Sequence, residues 1–172
     1  MGIRYRLRQG FGRLGAQLCP HRLDLAWARA RLPEPLWRLF AAMPRGDQWH
    51  GLCVARRLAG EGWQDADLLA AGLLHDVGKA AGGLTLAHRT LIILVRWSGA
   101  HWIERLASSD RGWRRPFDVH RHHAALGAER LRVAGASDAL IALVRAHEGR
   151  AEPPAGHLAA QLQALIAADD VC

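Results

Sequence analysis

Long apolar runs are missing from this 172-residue chain. Leu68–Leu74 and Leu91–Val95 are apolar but far shorter than the ~18–20 residues a membrane-crossing helix needs. Cysteine is scarce too. Cys19, Cys53 and Cys172 are widely spaced and odd in number, and no CxxC pair occurs. A disulfide scaffold is therefore not expected, and a cytoplasmic location in a reducing compartment is. No apolar stretch follows the N-terminal arginines, so no signal peptide is expected. Strand-like alternation is absent after residue 10, as are internal repeats and low-complexity segments. Half of the residues are hydrophobic and 23% are charged, which excludes a disordered chain and suits one closed core.

The charge is uneven. The formal net charge is +7, and residues 1–45 hold nine arginines against Asp24 and Glu34, which accounts for all of it. Ile3-Arg4-Tyr5-Arg6-Leu7-Arg8 alternates apolar and basic residues. Such an arm suits weak peripheral contact with an anionic membrane or nucleic acid, or simply solvent. The rest of the chain shows no basic run interleaved with aromatics, which argues against a dedicated nucleic-acid surface.

What dominates is the 3.6-residue period. Helices are predicted over 21–31, 36–43, 48–59 with Asp47 as N-cap, and about 66–76 capped by Asp65. Further ones are predicted over 84–97, 101–107, 118–133 capped by Asp118, about 139–146 capped by Ser137 or Asp138, and 157–168. The expectation is an all-α fold: a basic N-terminal arm and helix over 1–35, then a single helical-bundle domain over 36–172. The seven Trp residues read as core or interface fillers, and Cys53 as a core residue rather than a nucleophile.

Ten histidines are present, and their placement carries the chemistry. His75-Asp76 closes the apolar helix Leu68-Leu69-Ala70-Ala71-Gly72-Leu73-Leu74, and Gly78-Lys79 follows at once. A buried His-Asp pair is costly unless something satisfies it. Mutual hydrogen bonds do so, and so does a divalent cation. His50 lies on the preceding helix, and Asp169-Asp170 ends a late one.

This order of His, then His-Asp-x-Gly-Lys, then a late Asp resembles the HD-domain superfamily of metal-dependent phosphohydrolases, over roughly residues 36–172. The resemblance implies that His50, His75, Asp76 and Asp169 ligate a divalent metal, with Asp170 as the alternative to Asp169. His122-His123-Ala124-Ala125-Leu126-Gly127-Ala128-Glu129 is similar to the H-P-x-x-G-A-E element of two-metal members, with Ala124 in place of Pro. Val144-Arg145-Ala146-His147-Glu148 is similar to their H-H-E element, with Ala146 in place of the first His. His123 and His147 are thereby implied as ligands of a second ion, with Asp76 bridging. The Gly-Tyr-Pro segment of cyclic-di-GMP phosphodiesterases is absent, and Gly46 stands where a Glu sometimes precedes the first His. Both point away from that substrate.

The implied activity is hydrolysis of a nucleotide or other small phosphoester by metal-activated water. Asp76 then bridges the ions or accepts a proton. Lys79, Arg57 and Arg89 are the candidates for contacting phosphate. One or two ions are expected, and Mn, Fe, Mg, Co, Ni or Zn all suit His and Asp ligands. Two other functions fit the same residues: a non-catalytic or degenerate metal-binding sensor or scaffold, and a di-iron oxygenase.

Overall fold

The computed structural model describes residues 23–82, 115–149 and 151–172. Among them run seven α-helices: α1 (Leu25–Arg29), α2 (Glu34–Ala41), α3 (Arg45–Gly60), α4 (Ala66–Leu74), α5 (Arg115–Val133), α6 (Asp138–Ala146) and α7 (His157–Val171). A 3-10 turn, Val77–Gly82, follows α4. No strand occurs among the described residues, so the chain is all-α as the periodicity requires. No helix among them is long and apolar enough to cross a membrane. The helices predicted over 84–97 and 101–107, and the basic segment 3–8, lie outside the described residues.

Local chemistry sets the helix starts. Asp24, Asp65 and Ser137 each accept a hydrogen bond from the backbone N–H three residues on, which satisfies a donor the helix leaves orphaned. Two starts differ from expectation. α3 begins at Arg45, because the Pro44 carbonyl already accepts the N–H groups of Asp47 and Gln48 at 2.9 and 3.0 Å. Asp47 therefore lies inside the first turn and is buried, rather than capping the helix. α5 begins at Arg115 rather than after Asp118. Pro116 falls in its first turn, where a missing N–H costs nothing. α7 continues to Val171, past the predicted Ala168.

α4 is apolar on every side, and Leu68 to Leu74 are all buried, as expected of a helix at the centre of a bundle. It packs against α2, α3, α6 and α7. Leu58, Leu131, Leu143 and Leu165 close the core around it. Ala28 and Leu32, from before residue 36, belong to that same core. The contact between α3 and α4 is backbone against backbone. A Cβ on Gly51 would lie 2.5 Å from the Leu73 carbonyl oxygen, and one on Gly72 would lie 2.9 Å from Ala55 Cα. These two glycines let the helix bearing His50 close onto the helix that ends at His75.

The cysteines do not all act singly. Cys53 on α3 and Cys172 at the end of α7 form a disulfide, which corrects the expectation that Cys53 is a plain core residue. The sequence hides the pair because 119 residues separate its members.

Candidate metal centre

His75 is the C-cap residue of α4. Its Nδ1–H donates to the Gly72 carbonyl at 3.1 Å, which fixes the tautomer and turns Nε2 away from the helix. That Nε2 is buried and makes no hydrogen bond. It lies 3.6 Å from Asp76 Oδ2 and 3.5 Å from Asp169 Oδ1. His50 Nε2 stands 2.7 Å from the same Asp169 oxygen. Asp169 thus faces the cluster, whereas Asp170 is exposed.

α5 and α6 build the other half. His147 is the C-cap residue of α6 and repeats the device of His75, its Nδ1–H donating to the Val144 carbonyl at 2.7 Å. His123 on α5 is fully buried, with Nε2 3.4 Å from Asp76 Oδ1. The four imidazoles form a row, each edge-on to the next. Ring centroids are 5.1 Å apart for His50 and His75, 5.3 Å for His75 and His147, and 5.4 Å for His147 and His123. Asp76 turns Oδ2 toward His75 and Oδ1 toward His123.

The distances say what such a cluster suits. Separations of 3.4–3.6 Å exceed the ~2.7–3.2 Å of an N–H···O hydrogen bond. Two ligands each ~2.1 Å from one ion, at a near-tetrahedral angle, lie about 3.4 Å apart. Two sets of donors fall within 4.8 Å of one another: His50, His75 and Asp76, and Asp76, His123 and His147. Asp76 belongs to both. All five residues are buried, and a neutral imidazole with a carboxylate is a donor set that divalent ions favour.

Electrostatics fit the same use. Burial opposes charge on His75 most strongly, yet the Asp76 and Asp169 carboxylates outweigh it and hold its pKa above the ordinary value. Burial also opposes charge on Asp76, but Lys79, His75 and His123 keep its pKa well below the usual carboxylate range. Asp169 is likewise held well below, against its burial, by His75 and His50. Burial, helped by His75, pushes His147 down to about 4, so its imidazole is neutral and ready as a ligand near neutral pH.

Opposite shifts of two histidines give a pH signature in metal-free protein. His147 releases its proton on folding, so its contribution is lost as pH falls from about 6.5 toward 4. His75 gains affinity for its proton on folding, so its contribution is present below about 6.5 and is lost as pH rises through its raised folded pKa. Metal-free stability is therefore expected to peak near pH 6.5, and an added divalent ion to remove the alkaline decline by replacing the proton on Nε2. Thermal melts from pH 4 to 9 with and without Mn²⁺ check this. An alkaline slope that Mn²⁺ leaves unchanged refutes it.

Lys79 is the only lysine in the chain. Its Nζ contacts both Asp76 oxygens at 2.6 Å. A compact ammonium suits that place better than a forked guanidinium. Arg57 does not face the cluster. It is half-exposed and pairs with Glu61 at 3.0 Å. Arg89 lies outside the described residues.

One residue that no motif singles out helps to hold the geometry, and one that a motif contains also reaches the cluster. Arg130 on α5 donates to the Val77 carbonyl at 3.0 Å, tying the turn after His75-Asp76 to the helix of His123. Fifty-three residues separate them, and no spacing rule links them. Glu148 Oε1 lies 3.4 Å from His123 Nε2. Its signal was the H-H-E element itself.

A protein-family model described as the HD domain matches residues 49–170. The chain belongs to the HD-domain family. That match spans α3 through α7 and includes every residue of the two donor sets. No curated protein and no solved structure gives a match. The HD superfamily is one of metal-dependent phosphohydrolases, and the buried His and Asp groups of this HD domain are of the type that holds a divalent metal.

Proposed function

We propose that this HD domain hydrolyses a small phosphoester, with a nucleotide as the leading substrate class, and that it does so with two divalent ions. The observation that carries the reading is the sharing of Asp76 by two buried donor sets. His50, His75, Asp76 and Asp169 would hold one ion, and Asp76, His123 and His147 the other. Bound in such a pair, divalent ions lower the pKa of water and neutralise phosphoryl oxygens.

The chain's own groups do the rest. His75 and His147 turn their Nε2 atoms toward the two sets because their Nδ1–H groups are spent on backbone carbonyls. His147 is neutral near neutral pH, and on His75 an ion would take the place of the Nε2 proton. Asp76 stays ionised and directs one oxygen to each set. Lys79, with its side chain 15% exposed, is the cation placed to reach an entering phosphate. Arg57 is not assigned a substrate role, since Glu61 occupies it at the surface. A cytoplasmic location is part of the proposal. It stands against the Cys53–Cys172 disulfide, which a reducing compartment would open.

The test is elemental analysis of anaerobically purified protein, followed by phosphomonoesters, phosphodiesters and nucleotides assayed with Mn²⁺, Fe²⁺, Mg²⁺, Co²⁺, Ni²⁺ and Zn²⁺ in turn. The expected result is turnover of at least one phosphoester that disappears in His75→Ala. Metal uptake with no turnover anywhere overturns the reading in favour of a sensor or scaffold. A redox-active iron pair that oxidises a non-phosphorylated substrate overturns it in favour of an oxygenase.

A further inference from the structure

Resting on the metal-dependent reading above, we propose that the Cys53–Cys172 disulfide is a redox-sensitive positioning element. In the oxidised protein it holds Asp169 against His50 and His75, and on reduction it lets the Asp169 end of α7 go. Two pairs of residues join the same two helices. His50 meets Asp169, and three residues further along each helix Cys53 meets Cys172. Both pairs span 119 residues, so the disulfide sits one helical turn beyond the ligand contact.

Asp169 is the member of its group that most needs holding. His50 and His75 side chains are each 1% exposed, whereas that of Asp169 is 34% exposed. The last fully buried residue of α7 is Ala168. Beyond it, Asp170 and Val171 are exposed, and helix ends fray where little packing holds them. The covalent link at Cys172 fastens this turn to α3 beside the His50–Asp169 contact. The other group supplies an internal comparison: Asp76, His123 and His147 stand after α4, on α5 and after α6, and none of those helices carries a cysteine.

Opening the link balances as ordinary thiol–disulfide exchange. A dithiol attacks one sulfur as its thiolate, and the Cys53–Cys172 bond breaks to leave a mixed disulfide. The second thiol then closes the reductant's own disulfide, so that two electrons and two protons pass from the dithiol to Cys53 and Cys172, which end as thiols.

The test uses the full chain with Cys19→Ser, so that only one disulfide can form. Mn²⁺ serves as the probe because it has little affinity for thiols. Binding is measured by equilibrium dialysis and elemental analysis, before and after reduction with dithiothreitol and its removal under anaerobic conditions. Reduction is expected to weaken one of two sites by on the order of 10- to 100-fold, as for other losses of support around a metal. The other site should stay within about twofold. His147→Ala should leave only the redox-sensitive site. Asp169→Asn in oxidised protein should reproduce the loss, and reducing that variant should add nothing further. Cys172→Ser should behave as reduced protein whatever the redox state. Equal weakening of both sites marks a general staple and overturns the proposal, as do affinities that ignore reduction. No Mn²⁺ uptake by the oxidised protein overturns the metal reading and this proposal together. A redox split in Mn²⁺ affinity without phosphoester turnover upholds the proposal while the hydrolase reading fails.

Discussion

Asp76→Ala is expected to abolish ion binding at both donor sets at once, and to lower phosphoester hydrolysis by at least about 10²–10³-fold. The reason is geometric. Asp76 places Oδ2 3.6 Å from His75 Nε2 and Oδ1 3.4 Å from His123 Nε2, so one substitution removes a ligand from each set. His50→Ala removes a ligand from one set only, and His147→Ala from the other. Metal stoichiometry should therefore fall to near zero in Asp76→Ala and by one ion in each of the others. The variant should still fold. Its Lys79 ammonium, which lies on both Asp76 oxygens, is partly exposed and can return to water. Full stoichiometry in Asp76→Ala would remove the shared-carboxylate arrangement on which the proposed function stands.

Gly78→Ala carries the second large effect, and it comes from backbone contact. A Cβ at position 78 would lie 1.9 Å from the His123 carbonyl oxygen and 2.7 Å from the Gly127 backbone nitrogen. Neither atom belongs to a flexible side chain that can swing aside. The turn after His75-Asp76 must move off α5, and with it goes the Asp76–His123 approach. Overpacking of this kind costs about 3 kcal/mol, at the upper end of its usual range. For a chain of this size that corresponds to a fall in melting temperature of roughly 6–12 °C. Loss of the ion that Asp76, His123 and His147 would hold should accompany it. Calorimetry and metal analysis of the same sample test both parts. A variant that melts like the wild type would show that turn and helix do not depend on this contact.

This contact also explains the glycines of two motifs together. Gly78 of His-Asp-x-Gly-Lys faces His123 and Gly127. Gly127 is in turn the glycine of the element that begins at His123. Each motif reads as a local string, but their glycines exist for each other. A chain read one segment at a time shows the residues and not the reason.

Much of the molecule is nonetheless legible in the sequence. The 3.6-residue period, with Asp65 and Ser137 as caps, determines an all-α chain because helix formation is local: side-chain spacing and orphaned N–H groups act within a turn or two. His75-Asp76 at the end of an apolar helix announces a buried polar pair in need of a partner for the same reason. Helix starts depart from this pattern where proline intervenes. Pro44 begins α3 ahead of Asp47, so a residue that reads as a cap became a buried carboxylate.

Only the tertiary structure decided which distant side chains meet. Asp169 rather than Asp170 faces His50, because the rotation of α7 about its axis is set by packing Leu165 and Ala168 into the core. Arg57 lies two turns beyond His50 on the same helix, yet it ends at the surface with Glu61. Cys53 meets Cys172 across 119 residues because packing of the shared core sets α3 against α7. Periodicity states what each helix is, since its forces act over a few residues. Which helix faces which is settled by burial of the shared core, and the donor sets exist only once that burial is complete.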